Sequence, residues 1–294
     1  LPRIVHGLAD LANGYDVILC DVWGVLHDGA QYSEKAADAL ARFRTKGGKV
    51  ALITNSPNPS RIVRAQLELL GVPANAYDAI VSSGDVTLSM LAERAGEAVF
   101  HLGPPAETAL FDELLAVSGK PQRRASLEHA DFVLCTGLVD PYGGKPSDYD
   151  PILGRMLAKR LDFICANPDI VVEIGGELSY CAGAIAERYA GMGGKVIEAG
   201  KPYAPIYDKA MRLISETNSG VAPDRSRVLA IGDAMHTDIK GARAQKFDSL
   251  LVASGLHREQ LQAAKGAELA RAVLRQFVDE AGFAPTAAIP ELVW

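Results

Sequence analysis

The chain has 294 residues, 48% of them apolar, and a formal net charge of −6. That length suggests about two domains with full cores, and the acidic balance argues against a protein that grips a nucleic-acid backbone. No apolar run approaches the roughly 18 residues of a membrane span, no signal peptide is visible, and four cysteines without metal-ligand spacing read as buried, reduced thiols of a cytoplasmic protein.

Residues 1–14 read as a short helix or arm. Residues 17–20, Val-Ile-Leu-Cys, form an unbroken apolar run, which predicts a strand buried on both faces as in a parallel sheet. It ends in a carboxylate, Asp21, with Gly24 shortly after. A helix is expected over 33–46, with Ser33 as N-cap and Gly47-Gly48 as its stop. A second buried strand at 49–53 stops at Thr54-Asn55-Ser56-Pro57. A helix at 60–70 and a strand at 79–81 follow. This alternation implies right-handed crossovers and a parallel sheet.

Residues 85–180 carry their own α/β rhythm and read as an inserted domain, leaving 1–84 and 181–294 as the core. Within the insertion, strands are expected at 98–102, 131–135 and 162–166, and helices at 85–94, 107–117 and 150–159. The loop 140–148 is rich in Pro, Gly and Asp, and Asn167-Pro168-Asp169 is a turn signal. The first pattern then resumes, with a helix at 182–190, a strand at 195–198 and a helix at 205–217. A buried strand at 228–231 runs into Gly232-Asp233, followed by a helix at 236–244 and a last strand at 249–253. Residues 258–280 read as largely helical, and the apolar tail 292–294 is expected to dock on its own domain. Gly143-Gly144-Lys145 lacks P-loop spacing and Gly191 to Gly194 lacks the dinucleotide fingerprint, so both read as turns.

Four strand-end signatures stand in order: Asp21 with Gly24, Thr54-Asn55-Ser56, Lys201-Pro202, and Gly232-Asp233 with Asp238. In an open parallel sheet all four can reach one crevice at the carboxyl ends of the strands. Carboxylates, a hydroxyl, an ammonium and loop amides are what a Mg²⁺ ion and a phosphoryl group require. A strand-end Asp can also act as nucleophile through an aspartyl-phosphate. The plain alternatives are a solvated Lys201 before proline and a helix-start carboxylate at Asp238.

The set resembles the haloacid dehalogenase superfamily, and an insertion between the second and third motifs is similar to the type-two cap of its sugar-phosphatase and 4-nitrophenyl-phosphatase branch. The resemblance implies an α/β fold: a Rossmann-like core with a parallel sheet, plus the α/β cap. It implies a Mg²⁺-dependent hydrolase acting on a small phosphorylated metabolite through an aspartyl-phosphate intermediate. Asp21 would be nucleophile and metal ligand, the Trp23 backbone carbonyl and Asp233 further ligands, and Asp238 their support. Thr54, the Asn55 amide and Ser56 would bind the phosphoryl group, and Lys201 would offset its charge. A homo-oligomer is compatible with this reading; nucleic acid and membrane are not expected as partners.

One position departs from the family pattern. The aspartate two residues after the nucleophile, which protonates the leaving oxygen and activates water, is Trp23 here. An indole N–H only donates, and the lost help is typically worth about 10²–10⁴-fold. The expectation is therefore low activity, with a catalytically impaired regulator or sensor of a phosphorylated metabolite as the alternative. His27 and His236 could substitute as acid or base, or be ordinary loop and helix-surface histidines.

Overall fold

The computed structural model describes residues 1–105, 107–141, 143–174, 177–263 and 269–294. The fold is α/β with parallel sheets, as expected, and the chain divides into two compact units. The first comprises Leu1–Thr54, Arg64–Val81 and Lys201–Trp294, and the second Asn55–Val63 and Ser82–Gly200.

The first unit is built on a seven-stranded sheet in the order Arg3–Ile4, Ala287–Ile289, Asp248–Val252, Val228–Gly232, Val17–Asp21, Lys49–Thr54, Ala79–Ser82. The pairings from Arg3–Ile4 to Lys49–Thr54 are all parallel. Val17–Asp21 is buried along its whole length, because neighbouring strands take both of its edges and its apolar run can face helices on either side. The helix Glu34–Thr45 starts where the sequence puts it. Ser33 holds an extended backbone and its Oγ accepts the Ala36 amide at 3.2 Å. That helix buries Ala36, Ala37, Ala39, Leu40 and Phe43.

The arm and the tail close one edge of this sheet. Arg3–Ile4 and Ala287–Ile289, two short strands that periodicity does not flag, pair with each other. The Leu8 amide donates to the Val293 carbonyl at 2.7 Å, Leu292 is buried, and the Lys46 ammonium lies 4.9 Å from the centre of the Trp294 ring. The tail thus docks on its own unit. Of the stretch expected to be helical over 258–280, the described residues are α-helical only at Arg271–Ala281. Residues 253–262 run as turns, Gln262 takes a φ of 51° that no α-helix tolerates, and 264–268 lie outside the described residues.

The second unit has a five-stranded parallel sheet in the order Val196–Glu198, Asp162–Cys165, Phe132–Cys135, Ala98–Leu102, Arg123–Arg124. Apolar layers cover it. One gathers Leu153, Met156, Phe163 and Tyr189, and the other Leu110, Phe111, Phe132 and Ile164. Because Val196–Glu198 pairs with Asp162–Cys165, residues 182–200 belong to this unit and not to the core segment expected to begin at 181. Both units share one βα rhythm, so the pattern alone does not say which sheet that strand joins. Residues 55–63 also fall in this unit. There the Asp85 carboxylate accepts the Ser60 amide and hydroxyl, each at 3.0 Å, while its other oxygen caps the helix that starts at Ser83. A hairpin of Val171–Ile174 and Glu177–Tyr180 is antiparallel and was not legible, since its outer strand is mostly exposed.

Candidate active site

Three neighbouring strands of the first unit end together. In the pairing of Val17–Asp21 with Lys49–Thr54, Asp21 stands opposite Ile53, so Thr54 lies one step beyond. On the other side Cys20 stands opposite Ile231, which brings Gly232 and Asp233 to the same edge. Asp21, Thr54 and Asp233 are all buried. This is the carboxyl edge of a parallel sheet, where ligands of open α/β folds bind.

Lys201 opens the third segment of this unit and is 2% exposed. Its Nζ donates to Asp21 Oδ1 at 2.5 Å and to Asp238 Oδ1 at 2.7 Å. It is therefore a buried counter-ion, not the solvated lysine of the plain alternative. Asp238, on the helical turn Met235–Ile239, is 3% exposed and also accepts the Ala234 amide at Oδ2, 3.2 Å away. The carboxylates of Asp21, Asp233 and Asp238 offer oxygens that all lie within 4.8 Å of one another, a grouping unique among the described residues. Burial pushes the Asp21 carboxyl well above its usual range and Asp238 adds to this, while Lys201 opposes it.

Glycine makes room for these groups. A Cβ on Gly24 would stand 2.0 Å from Asp233 Oδ2, and its φ of +80° is left-handed besides. A Cβ on Gly255 would stand 2.1 Å from the same oxygen. Gly255 belongs to a loop that the sequence did not point to, in which the Leu256 amide donates to Asp233 Oδ2 at 2.7 Å. A Ser-Gly pair directly after the last strand was the available signal.

Three hard carboxylates, those of Asp21, Asp233 and Asp238, converge beside the Lys201 ammonium. Such a donor set suits a divalent cation of the Mg²⁺ type. Cys20 donates to the Asp21 carbonyl at 3.2 Å, and its thiol is driven far up by burial, so it is an inert structural thiol. All four cysteines are free and buried.

The remaining expected residues have contacts of their own. The Asn55 side chain belongs to the second unit and donates to Asp169 Oδ1 at 2.8 Å. The Ser56 hydroxyl accepts the Asn58 amide at 3.3 Å. The half-buried Trp23 indole meets the His27 ring edge-on, 5.0 Å between centres. It also packs on Gly29, where a Cβ would stand 2.7 Å from the indole. His27 Nδ1 accepts the Gly29 amide at 3.0 Å, and burial holds its pKa below the usual value. His236 is exposed, unlike its neighbours Met235, Thr237 and Asp238.

Two family models match the chain, haloacid dehalogenase-like hydrolase over residues 18–116 and a HAD-hydrolase-like family over 198–279. A solved hydrolase of the haloacid dehalogenase-like family from Brucella suis is 42% identical, with a TM-score of 0.84, over 99% of this chain and 100% of that one. D-glycerol 3-phosphate phosphatase of Mycobacterium tuberculosis is 26% identical over 85% of this chain, which spans 66% of that enzyme's length. A 4-nitrophenylphosphatase of Schizosaccharomyces pombe is 26% identical over 84% of this chain and 86% of its own.

Proposed function

The chain belongs to the haloacid dehalogenase-like family of hydrolases and is an enzyme of its phosphatase kind, and on that premise we propose that it cleaves the phosphoric ester of a small metabolite through an aspartyl-phosphate on Asp21. The observation that carries this reading is Lys201, buried and bonded to both Asp21 and Asp238, beside Asp233. An Asp21 oxygen attacks phosphorus while the bond from phosphorus to the leaving oxygen breaks and its electron pair departs with that oxygen. Water then attacks the same phosphorus, which releases inorganic phosphate and returns the Asp21 carboxylate. Lys201 fixes the Asp21 carboxylate and offsets charge on the phosphoryl group. Thr54, the Asn55 amide and Ser56 bind the phosphoryl oxygens. Asp21, Asp233 and the Trp23 carbonyl would hold Mg²⁺, with Asp238 in support, and the bound ion would neutralise phosphoryl charge. The cap expected over 85–180 corresponds to the second unit, Asn55–Val63 with Ser82–Gly200. Four free, buried thiols support a reducing compartment such as the cytoplasm.

Trp23 sets the leaving group. Its indole offers no proton that the departing oxygen could take, and His27, whose Nδ1 accepts the Gly29 amide and whose proton therefore sits on Nε2, is held by burial below its usual pKa and so is a poor acid. Substrates whose leaving oxygen is stable as an anion, aryl and acyl phosphates, are therefore favoured over alkyl phosphates. The same observation favours a second reading, a phosphoryl-metabolite sensor with negligible turnover. A panel of phosphate esters assayed with Mg²⁺ and with EDTA separates the two. The first reading expects release of phosphate from 4-nitrophenyl phosphate that falls to background in EDTA and in Asp21→Asn. Turnover surviving in Asp21→Asn refutes the nucleophile, and tight binding without phosphate release supports the sensor.

A further inference from the structure

His257 enters none of the roles above, yet it is bonded on both sides of its ring. Its Nε2 accepts the Met235 amide at 3.2 Å, and its Nδ1 lies 2.6 Å from Gln260 Oε1. A carboxamide oxygen only accepts, so Nδ1 carries the proton and Nε2 is left with the lone pair that the Met235 N–H needs. The ring rests on Phe277 of the helix Arg271–Ala281, 4.9 Å between centres. Met235 begins a helical turn, and the first amides of such a turn have no partner within it.

The neighbouring contact runs the opposite way. Leu256, next to His257, donates its amide to Asp233 Oδ2 at 2.7 Å. Segments 233–235 and 256–257 therefore exchange two bonds, one given by each, with one residue between the anchor points on one side and none on the other. Gly255 has to be glycine for the loop to approach this closely, since a Cβ there would meet Asp233 Oδ2 at 2.1 Å.

We propose that His257 is a positioning residue for the Asp233 carboxylate: by accepting the Met235 amide it locks the loop whose Leu256 amide holds Asp233 Oδ2, and so keeps that carboxylate aligned with Asp21 and Asp238 for a divalent cation. The inference rests on the metal role of Asp233 in the proposed function. Partners that orient a ligand from outside the coordination sphere typically contribute about 10–100-fold to metal affinity.

The test is isothermal titration of Mg²⁺ into the metal-free full chain, with thermal melting in EDTA alongside. His257→Leu keeps bulk against Phe277 and removes the acceptor, and its Mg²⁺ affinity should fall about tenfold. His257→Gln supplies an oxygen acceptor at similar reach and should stay within about threefold of wild type. Gln260→Leu alters a surface residue, leaves the fold intact, and should weaken Mg²⁺ about threefold by unlocking the tautomer. At saturating Mg²⁺ the KM for 4-nitrophenyl phosphate should be unchanged in all three. Wild-type affinity in both His257→Leu and Gln260→Leu overturns the proposal. So does an equal loss in His257→Leu and His257→Gln that tracks their melting temperatures. Should His257→Leu not fold, Gln260→Leu and His257→Gln decide. A wild type that binds no Mg²⁺ overturns the metal reading itself, a result distinct from unchanged variants on a wild type that binds.

Discussion

Replacing Lys201 with methionine should destabilise the first unit strongly, and more so at neutral than at acid pH. The Lys201 side chain is 2% exposed and its partners Asp21 and Asp238 are 8% and 3% exposed, so solvent screens the triad little. Methionine keeps most of the stem but leaves two buried carboxylates without their cation. Breaking a buried pair from one side costs about 3–5 kcal/mol. At about 2–4 °C per kcal/mol for a protein of this size, the melting temperature in EDTA should drop on the order of 10 °C. The Asp21 carboxyl is already raised by burial, and losing Lys201 raises it further. A carboxyl whose folded pKa exceeds its unfolded value binds more protons folded than unfolded, so its stability falls as pH rises through the folded pKa. The deficit should therefore be larger at neutral pH and shrink as pH falls toward the ordinary carboxyl range. Lys35→Met is the control: that pair with Glu291 has side chains 63% and 23% exposed and should cost less than about 1 kcal/mol. Melting followed by circular dichroism checks both variants. A Lys201→Met protein that melts within about 2 °C of wild type at neutral pH would refute the reasoning.

Two more outcomes follow from the site. Asp233→Ala should abolish the Mg²⁺ heat in calorimetry, and Gly255→Ala should weaken it, because its Cβ would fall 2.1 Å from Asp233 Oδ2; unchanged affinity in Asp233→Ala sinks the ligand assignment. Trp23→Asp, provided that circular dichroism shows it folded, should raise turnover of alkyl phosphates about tenfold or more while wild type prefers 4-nitrophenyl phosphate; ordinary phosphatase rates of wild type on alkyl phosphates would refute the leaving-group argument.

The central strands were legible because burial on both faces writes an unbroken apolar run such as Val17 to Cys20, and the strand-end polar residues then stand out against it. Asp21, Thr54 and Asp233 were readable for that reason. The meeting of Lys201 with Asp238 was not, since 37 residues and a change of element separate them and no local spacing encodes the contact. The loop at Gly255 to His257 escaped because its part is played by backbone amides and one side-chain acceptor, for which no residue pattern exists. The short strands Arg3–Ile4 and Ala287–Ile289 are too brief for a period of two to register. The boundary at 181 failed because a strand's sequence does not name its neighbour, and Val196–Glu198 chose the second sheet.

The division of the first unit into three segments also bears on how the protein is made. Val17–Asp21 acquires one neighbour early, when Lys49–Thr54 leaves the ribosome, but its other neighbour is Val228–Gly232. Between them lies Ser82–Gly200, a stretch that belongs wholly to the other unit. At about 5–20 residues per second, the second edge of this buried strand stays unpaired for on the order of 10–40 s of synthesis. An open edge of this kind is a template for pairing with another chain. The finished fold is penalised little by the interruption, because loop-closure entropy grows only with the logarithm of length. The nascent chain bears the hazard instead.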